Sequence, residues 1–366
     1  MSTDLQNIHR YLGQKVLASY LVPNVIMPAL PTPNDEEQSH SDSDELTPAE
    51  QYQDAIVDLI RSLPTPADAA AQDERYYQMV LKLFIRQLEA RGMAPSEQLN
   101  EVYTELLMNS KMSGGSSTED STAACYVNYF VNETDYVRLK ESPNVISAHG
   151  STGHRTWEAA LALSDYIITA GLPYDSDDTE ESNPPRKLVE LGAGTGLVGL
   201  IAAKLDPTLE IILTDGDEQV VNNLRANIEL NNNNNSSTID DSDSTEPVRR
   251  PRISTEVLLW NETPVVANTD LVMAADVTYD ASVIPQLVAC LAQFADANGG
   301  CSIIVAATIR SQETFQVFQE SCTAHGLTLT KLRSYNESTR HFFIPPSSPE
   351  VIIYKISNLA WNRKKK

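Results

Sequence analysis

A short apolar run, Leu188 to Leu191, breaks into glycines at 192, 194 and 196, then resumes as small and apolar residues from Leu197 to Leu205. A run of that length reads as a buried strand, and the segment beyond the glycines reads as a helix. Strand, Gly-rich turn and helix, in that order, form the opening unit of a nucleotide-binding α/β sheet. Glycine allows the sharp turn and, having no Cβ, lets a ligand approach the backbone. The helix behind the turn offers unpaired N–H groups to a polar ligand.

Two ligand classes fit this turn. Gly194-x-Gly196-x-x-Gly199 satisfies the dinucleotide pattern of NAD and FAD sites. Glu190-x-Gly192-x-Gly194-x-Gly196 instead satisfies the pattern of S-adenosylmethionine-dependent methyltransferases. Its acid sits inside the strand, where it can hold the N–H groups of the turn or the cationic methionine end of the cofactor. The turn alone leaves both classes open.

Composition narrows the partners. The chain of 366 residues has 50 acids against 27 bases, a formal net charge of -23, and so lacks the overall basic character of a nucleic-acid binder. Arg249, Arg250 and Arg252, or the final Arg363-Lys-Lys-Lys366, could form a local basic patch; both read better as solvated loop and tail charges. Four cysteines without CxxC spacing give neither a disulfide framework nor an expected metal site, and point to a reducing compartment. No signal-like N-terminus and no apolar run of membrane-spanning length is present, so a cytoplasmic location without membrane contact is expected.

Along the chain, residues 1–112 read as a helical N-terminal domain. Leu5, Ile8, Leu12, Val16 and Leu17 fall on one helical face. The Pro-rich, acidic stretch 28–49 reads as a disordered linker. Ala55–Leu63 and Tyr76–Leu88 are amphipathic, with Val80, Leu83, Phe84 and Leu88 forming a stripe, and Ser96 with Glu97 signals a further helix to Met108. Such a domain either packs on a catalytic domain or docks a large partner. Residues 113–123 read as a Gly/Ser-rich linker, and 124–360 as the catalytic domain. It opens with strands at Tyr126–Val131 and Tyr136–Lys140, arranged as a hairpin. A helix then runs from Thr156, a candidate cap, to Ile168, with Trp157 at its start.

After the Gly-rich unit, Glu210–Thr214 reads as a second strand ending in Asp215, an acid placed to accept hydrogen bonds from ribose hydroxyls. The helix Glu218–Leu230 leads into 231–247, a low-complexity insertion rich in Asn, Ser and Asp, with no chemical role expected. Ile253–Leu259 is a third strand, followed by Trp260, which can stack on an adenine or simply be buried. Asp270–Ala275 is a fourth strand running into Asp276-Val-Thr-Tyr279. Ligands of open α/β sheets bind at the carboxyl ends of strands, so Asp276 and Tyr279 should face the same crevice as the glycines. A helix at Ser282–Phe294, a strand at Cys301–Ala307 and a helix at Ser311–His325 follow. Strands at Leu327–Tyr335 and Val351–Ile356 are joined without a crossover helix, which favours antiparallel pairing. The last residues, 361–366, form a basic tail. The expected fold is an α/β, seven-stranded Rossmann-like methyltransferase sheet with its last strand antiparallel, beside a helical N-terminal domain. That ending tips the ligand choice towards S-adenosylmethionine, with an NAD-dependent oxidoreductase as the alternative enzyme class.

Arg155-Thr-Trp-Glu-Ala-Ala160, Glu190-Leu-Gly-Ala-Gly-Thr-Gly196, Asp215, Trp260 and Ala274-Ala-Asp-Val-Thr-Tyr279 together resemble the seven-strand protein-lysine methyltransferases with an Asp-x-x-Tyr signature. With the helical N-terminal domain, the chain is similar to the eukaryotic elongation factor 2 lysine methyltransferases, and the Asn-rich insertion suggests a fungal member. The resemblance implies S-adenosyl-L-methionine as cofactor and a lysine of elongation factor 2 or of another protein as substrate; a monomer is the expected working form. It implies that Trp157 flanks the cofactor pocket, that Gly192, Ala193 and Gly194 line the cofactor, that Asp215 binds the ribose, that Trp260 packs by the adenine and that Ala275 completes the wall. Asp276 and Tyr279 would shape the lysine channel, Asp276 orienting the incoming amine.

Overall fold

The computed structural model describes residues 2–31, 46–65, 70–112, 125–142, 152–174, 186–234, 251–260, 262–297, 301–336, 339 and 341–358. The chain divides into two compact units, Met1–Thr134 and Asp135–Lys366. None of the helices among the described residues is long and apolar enough to cross a membrane.

The first unit contains α1 (Thr3–Gly13), α2 (Ala18–Leu21), a π turn (Val22–Ile26), a 3-10 turn (Met27–Ala29), α3 (Pro48–Ser62), α4 (Ala70–Ala90), α5 (Glu97–Met112) and β1 (Cys125–Phe130). Ile8 and Leu12 of α1 are buried, but the helix stops before Val16 and Leu17. Lys15 turns the chain at φ 57, and Leu17 ends 71% exposed instead of joining the buried stripe that its spacing predicts. Gly13 ends α1 against β1, where a Cβ would lie 2.6 Å from the Phe130 ring. Thr47 and Glu50 form a reciprocal capping box at the start of α3, with Pro48 in the first helical position. The expected linker 28–49 is therefore partly ordered at both ends, and 32–45 lies outside the described residues. The stripe of α4 buries Val80, Leu81, Phe84 and Leu88, Leu81 taking the place expected of Leu83. Ser96 starts α5 as expected: its Oγ accepts the Leu99 N–H at 3.2 Å and donates to Asp54 at 2.6 Å. The expected linker 113–123 lies outside the described residues.

The second unit runs β2 (Tyr136–Glu141), α6 (Glu158–Ala170), β3 (Lys187–Leu191), α7 (Leu197–Leu205), β4 (Glu210–Asp215), α8 (Glu218–Asn234), β5 (Arg252–Val257), β6 (Leu271–Ala275), α9 (Ile284–Ala297), β7 (Ser302–Thr308), α10 (Gln312–Ala324), β8 (Leu327–Tyr335) and β9 (Val351–Asn358). Seven strands make one sheet in the order β5-β4-β3-β6-β7-β9-β8. The first five are parallel, and β9 runs antiparallel to both β7 and β8. The order reverses beside β3, which puts the switch point of the sheet next to the Gly-rich turn.

Period-two alternation divides the sheet between two apolar layers. Val189, Leu191, Val272, Ala274, Ile303 and Val305 share a core with Leu287, Leu291 and Phe294 of α9 and Phe318 of α10. On the other face, α7 lies so close to β3 and β4 that a Cβ at Gly199 would overlap the Leu213 side chain. The outer edge strand β8 exposes Thr330 to Ser334, including Lys331 and Arg333, and carries an irregularity between those two charges.

In the second unit, α6 and α8 also differ from the sequence reading. Thr156 does not cap α6; the cap position belongs to Trp157, which makes no side-chain capping bond. Thr156 Oγ1 instead lies 2.6 Å from Glu141 of β2 and 2.7 Å from the Thr195 hydroxyl in the Gly-rich turn. Residues 231–234 of the insertion expected over 231–247 belong to α8, which continues to Asn234. Buried Asn231 accepts from the Arg138 N–H at 2.9 Å and donates to the Arg138 carbonyl at 2.7 Å, using its amide as a strand partner for β2. Residues 235–247, Arg249, Arg250 and the tail 361–366 lie outside the described residues, and Arg252 opens β5.

Phe294 is fully buried between α9 and the sheet. Phe294→Ala is expected to lower the stability of the second unit by about 3–5 kcal/mol, read as a shift in the urea unfolding midpoint.

Candidate active site

The crevice opens at the carboxyl ends of the parallel strands. There a cavity of about 680 Å³ is lined by Gly192 and Gly194 after β3, Asp215 and Asp217 after β4, and Leu258, Leu259 and Trp260 after β5. Ala275, Asp276 and Tyr279 after β6, Arg310 after β7, and Gly153 and Trp157 before α6 complete it. Of the ten site residues that the sequence singles out, eight line this cavity. Glu190 and Ala193 do not.

Glu190 lies beneath the turn. Its side chain is 2% exposed and accepts the Gly199 N–H at 2.8 Å, tying β3 to the first turn of α7. Burial pushes its pKa up to about 8, against the lowering by the Gly199 bond and with a further push from Asp215. Ala193 is buried, and its N–H reaches the Thr214 carbonyl at 2.8 Å, fastening the turn to β4.

Gly192, Gly194 and Gly196 have φ of 61, 55 and 88, values that favour glycine. A Cβ at Gly192 would sit 2.8 Å from Val277 and 3.7 Å from Trp260, filling the space over the turn. Asp215 is oriented by two backbone donors: the Gly194 N–H reaches Oδ2 at 3.2 Å and the Asp217 N–H reaches Oδ1 at 3.1 Å. Each oxygen keeps a second lone pair for a ligand hydroxyl. Burial raises its pKa. Strand β5 ends at Val257, two residues earlier than its sequence suggests, so Leu258, Leu259 and Trp260 are released to wall the cavity.

The far end of the crevice holds an ion-pair cluster. Asp276 has φ 59, a left-handed conformation that is uncommon for a residue with a Cβ. Both of its ends are held by the β7 segment: its N–H donates to the Ala306 carbonyl at 2.9 Å, and Arg310 grips its carboxylate with two bonds of 2.6 and 2.7 Å. Arg310 also reaches Glu158 at 3.3 Å. Burial lowers the Arg310 pKa, but Asp276 and Glu158 outweigh that and leave it raised. Arg155 and Arg310 lie over the Trp157 ring, 4.2 and 5.2 Å from its centre, and Trp157 Nε1 donates to the Thr152 carbonyl at 2.9 Å. Tyr279 stands at the rim, 53% exposed. Sequence reasoning missed Arg310. The rule that located Asp276, a polar residue just past the carboxyl end of a parallel strand, applies equally to the residue following β7.

The turn at β3 admits a dinucleotide or S-adenosylmethionine, and the sheet decides between them. A last strand inserted antiparallel between β7 and β8, with the acid after β4 and the apolar wall after β5, defines the seven-stranded S-adenosylmethionine-dependent methyltransferase class. A family model described as lysine methyltransferase matches residues 142–323. Protein-lysine N-methyltransferase EFM3 of Chaetomium thermophilum is 34% identical over 283 residues, covering 73% of this chain and 76% of that protein. EFM3 of Saccharomyces cerevisiae is 32% identical, covering 71% of this chain and 75% of its own length. Protein-lysine N-methyltransferase EEF2KMT of Mus musculus is 30% identical, covering 69% and 70%. The chain belongs to this family of protein-lysine N-methyltransferases, and its cofactor is S-adenosylmethionine.

The residues present fit that cofactor. A cavity of this volume is in the range of ligand sites. It pairs a backbone cradle that side chains would fill with an apolar wall for a flat base and a carboxylate with spare lone pairs for a diol.

Between pH 4.5 and about 8, folded Glu190 keeps a proton that the unfolded chain has released, so stability falls as the pH rises through this window. Glu190→Gln does not titrate. The fall in stability from about pH 5 to about pH 8 is expected to be smaller in this variant by about 3–4 kcal/mol, measured by urea unfolding at each pH.

Proposed function

We propose that this chain methylates a lysine of elongation factor 2, with the reaction laid out across the crevice from β4 to β7. The observation that carries the layout is that one cavity is lined by Asp215 at one end and by the Asp276–Arg310 pair at the other. Asp215 accepts hydrogen bonds from the ribose hydroxyls. Leu258, Leu259 and Trp260 hold the adenine, with Trp260 against the ring. Gly192 and Gly194 let the cofactor lie against the backbone, Ala275 and Trp157 flank it, and Glu190 and Ala193 keep the turn in shape from below. The acceptor lysine enters beside Asp276 and Tyr279.

S-adenosylmethionine supplies a methyl on a sulfonium: the lysine nitrogen lone pair forms the new N–C bond while the C–S bond breaks and leaves its electron pair on sulfur. The lysine must arrive without its extra proton, since an ammonium has no lone pair. From an ordinary pKa of about 10.4, deprotonation at neutral pH costs roughly 4–5 kcal/mol, at about 1.36 per unit. A partly dry channel lowers that cost because it disfavours the cation. The proton passes to water at the rim where Tyr279 stands, and the side chains of the crevice then hold the amine in line. Asp276 contributes carboxylate lone pairs that Arg310 leaves unused.

The name EEF2KMT, borne by the mouse relative, points to elongation factor 2 for that protein and supports the same substrate here. That substrate also supports a cytoplasmic location.

The test combines the purified protein with radiolabelled S-adenosylmethionine and extract from cells lacking it. A single labelled band, identified by mass spectrometry as elongation factor 2 methylated on lysine, is the expected outcome. Labelling of a different protein overturns the substrate. Asp215→Ala is expected to weaken S-adenosylmethionine binding by about 10–100-fold in calorimetry, the loss of charge-assisted bonds to a diol.

A further inference from the structure

We infer that Arg310 is a positioning residue that ties up the Asp276 carboxylate, so that the acceptor lysine meets a neutralised ion pair and loses its proton at a lower pH than it would beside a free carboxylate. The inference rests on the placement of the lysine beside Asp276 proposed above.

Three observations carry it. The Arg310 guanidinium engages both Asp276 oxygens, at 2.6 and 2.7 Å, the bidentate arrangement in which a carboxylate is most fully paired. The pair is partly buried, Asp276 being 9% exposed, so screening by water is reduced. Finally, the strand order places β6 and β7 on the side of β3 opposite the ribose-binding β4, so Arg310 stands at the acceptor end of the crevice. A left-handed conformation is strained for a residue other than glycine. Asp276 adopts that conformation while held at its N–H by Ala306 and at its carboxylate by Arg310, both from β7 or just beyond it.

The chemistry follows from the sign of the charges. An unpaired carboxylate within about 4–6 Å of an amine stabilises the ammonium and raises its pKa. A methyl acceptor needs the opposite. Asp276, just past β6, faces Arg310, just past β7. Glu158, at the start of α6, shares that guanidinium and pairs also with Arg155 at 3.6 Å. The cluster thus contains two carboxylates and two guanidiniums. Tyr279 faces the lysine from the same loop as Asp276, and Asp217 and Glu262 are the other acids lining the cavity besides Asp215. Removing Arg310 would leave Asp276 to pair with the incoming ammonium in its place.

The test is the pH profile of kcat/KM in Arg310→Met, Arg310→Lys and the double variant Asp276→Asn with Arg310→Met. The methyl acceptor is elongation factor 2 or whichever protein the extract assay labels, so failure of the substrate assignment leaves the test intact. Calorimetric affinity for S-adenosylmethionine and the thermal unfolding midpoint are measured in parallel. Arg310→Met is expected to move the rising limb upward by about one pH unit or more, a tenfold loss at neutral pH recovered in alkali, with cofactor affinity retained. Arg310→Lys keeps the charge and should keep the limb near its native position. The double variant should return the limb towards native at a lower rate, the non-additivity expected of a coupled pair. An unmoved limb in Arg310→Met overturns the inference, as does a cofactor affinity reduced more than tenfold, which would make Arg310 a cofactor contact. If Arg310→Met does not fold, the Arg310→Lys profile decides: a limb displaced upward despite the retained charge overturns it. Unchanged turnover and limb in Asp276→Asn alone would sink the placement of the lysine instead.

Discussion

The hydrogen bond from the Gly199 N–H to the buried Glu190 carboxyl group is the contact on which the site depends. It joins the carboxyl end of β3 to the first turn of the helix behind it, across a gap in which a Cβ at position 199 would collide with Leu213 and with Glu190 itself. The Gly-rich turn between them is therefore shaped by what lies below it as much as by its own glycines. Ala193 and Gly194 extend the same anchoring sideways to β4, through the Thr214 carbonyl and the Asp215 carboxylate. Burying an acid at that point costs stability near neutral pH, and the fold accepts this to keep a turn whose backbone is held both from below and from β4.

The crevice has two kinds of wall. On the β4–β5 side it is made of a backbone-oriented carboxylate and apolar side chains, suited to a flat base and a diol. On the β6–β7 side it is ionic, with Asp276, Arg310, Glu158 and Arg155 meeting around Trp157. Adenosine and lysine make opposite demands. The first is held by directional acceptors in a dry setting, whereas the second must be stripped of charge. In the proposed layout, placing the two walls on opposite sides of β3 would let one sheet answer both.

How much of this was legible in the sequence depended on range. The β3–turn–α7 unit and the strands β4 and β6 could be read because each is a run of buried apolar residues ending in a polar residue at the crevice, a signal contained within a few positions. The antiparallel ending could be read because no crossover helix separates β8 from β9. Arg310 escaped notice because its meaning lies in a partner 34 positions earlier. Thr156 looked like a cap because hydroxyls before helices usually cap, yet the nearby Glu141 and Thr195 competed for it successfully. Asn231 was hidden in a run of asparagines, where composition masks the one whose amide serves β2. Leu17 followed the helical period of α1 beyond the point where Lys15 ends it.

The outer edge of the sheet has a consequence beyond catalysis. Among the described residues, strand β8 forms the outer edge of the sheet, which in principle invites a strand from a neighbouring molecule. Its exposed stretch Thr330–Ser334 carries Lys331 and Arg333 on either side of a break in register. A flat incoming strand would meet two cations and a backbone whose hydrogen-bonding groups are out of step. Both features make the β8 edge a poor template for a strand from a second copy of the chain.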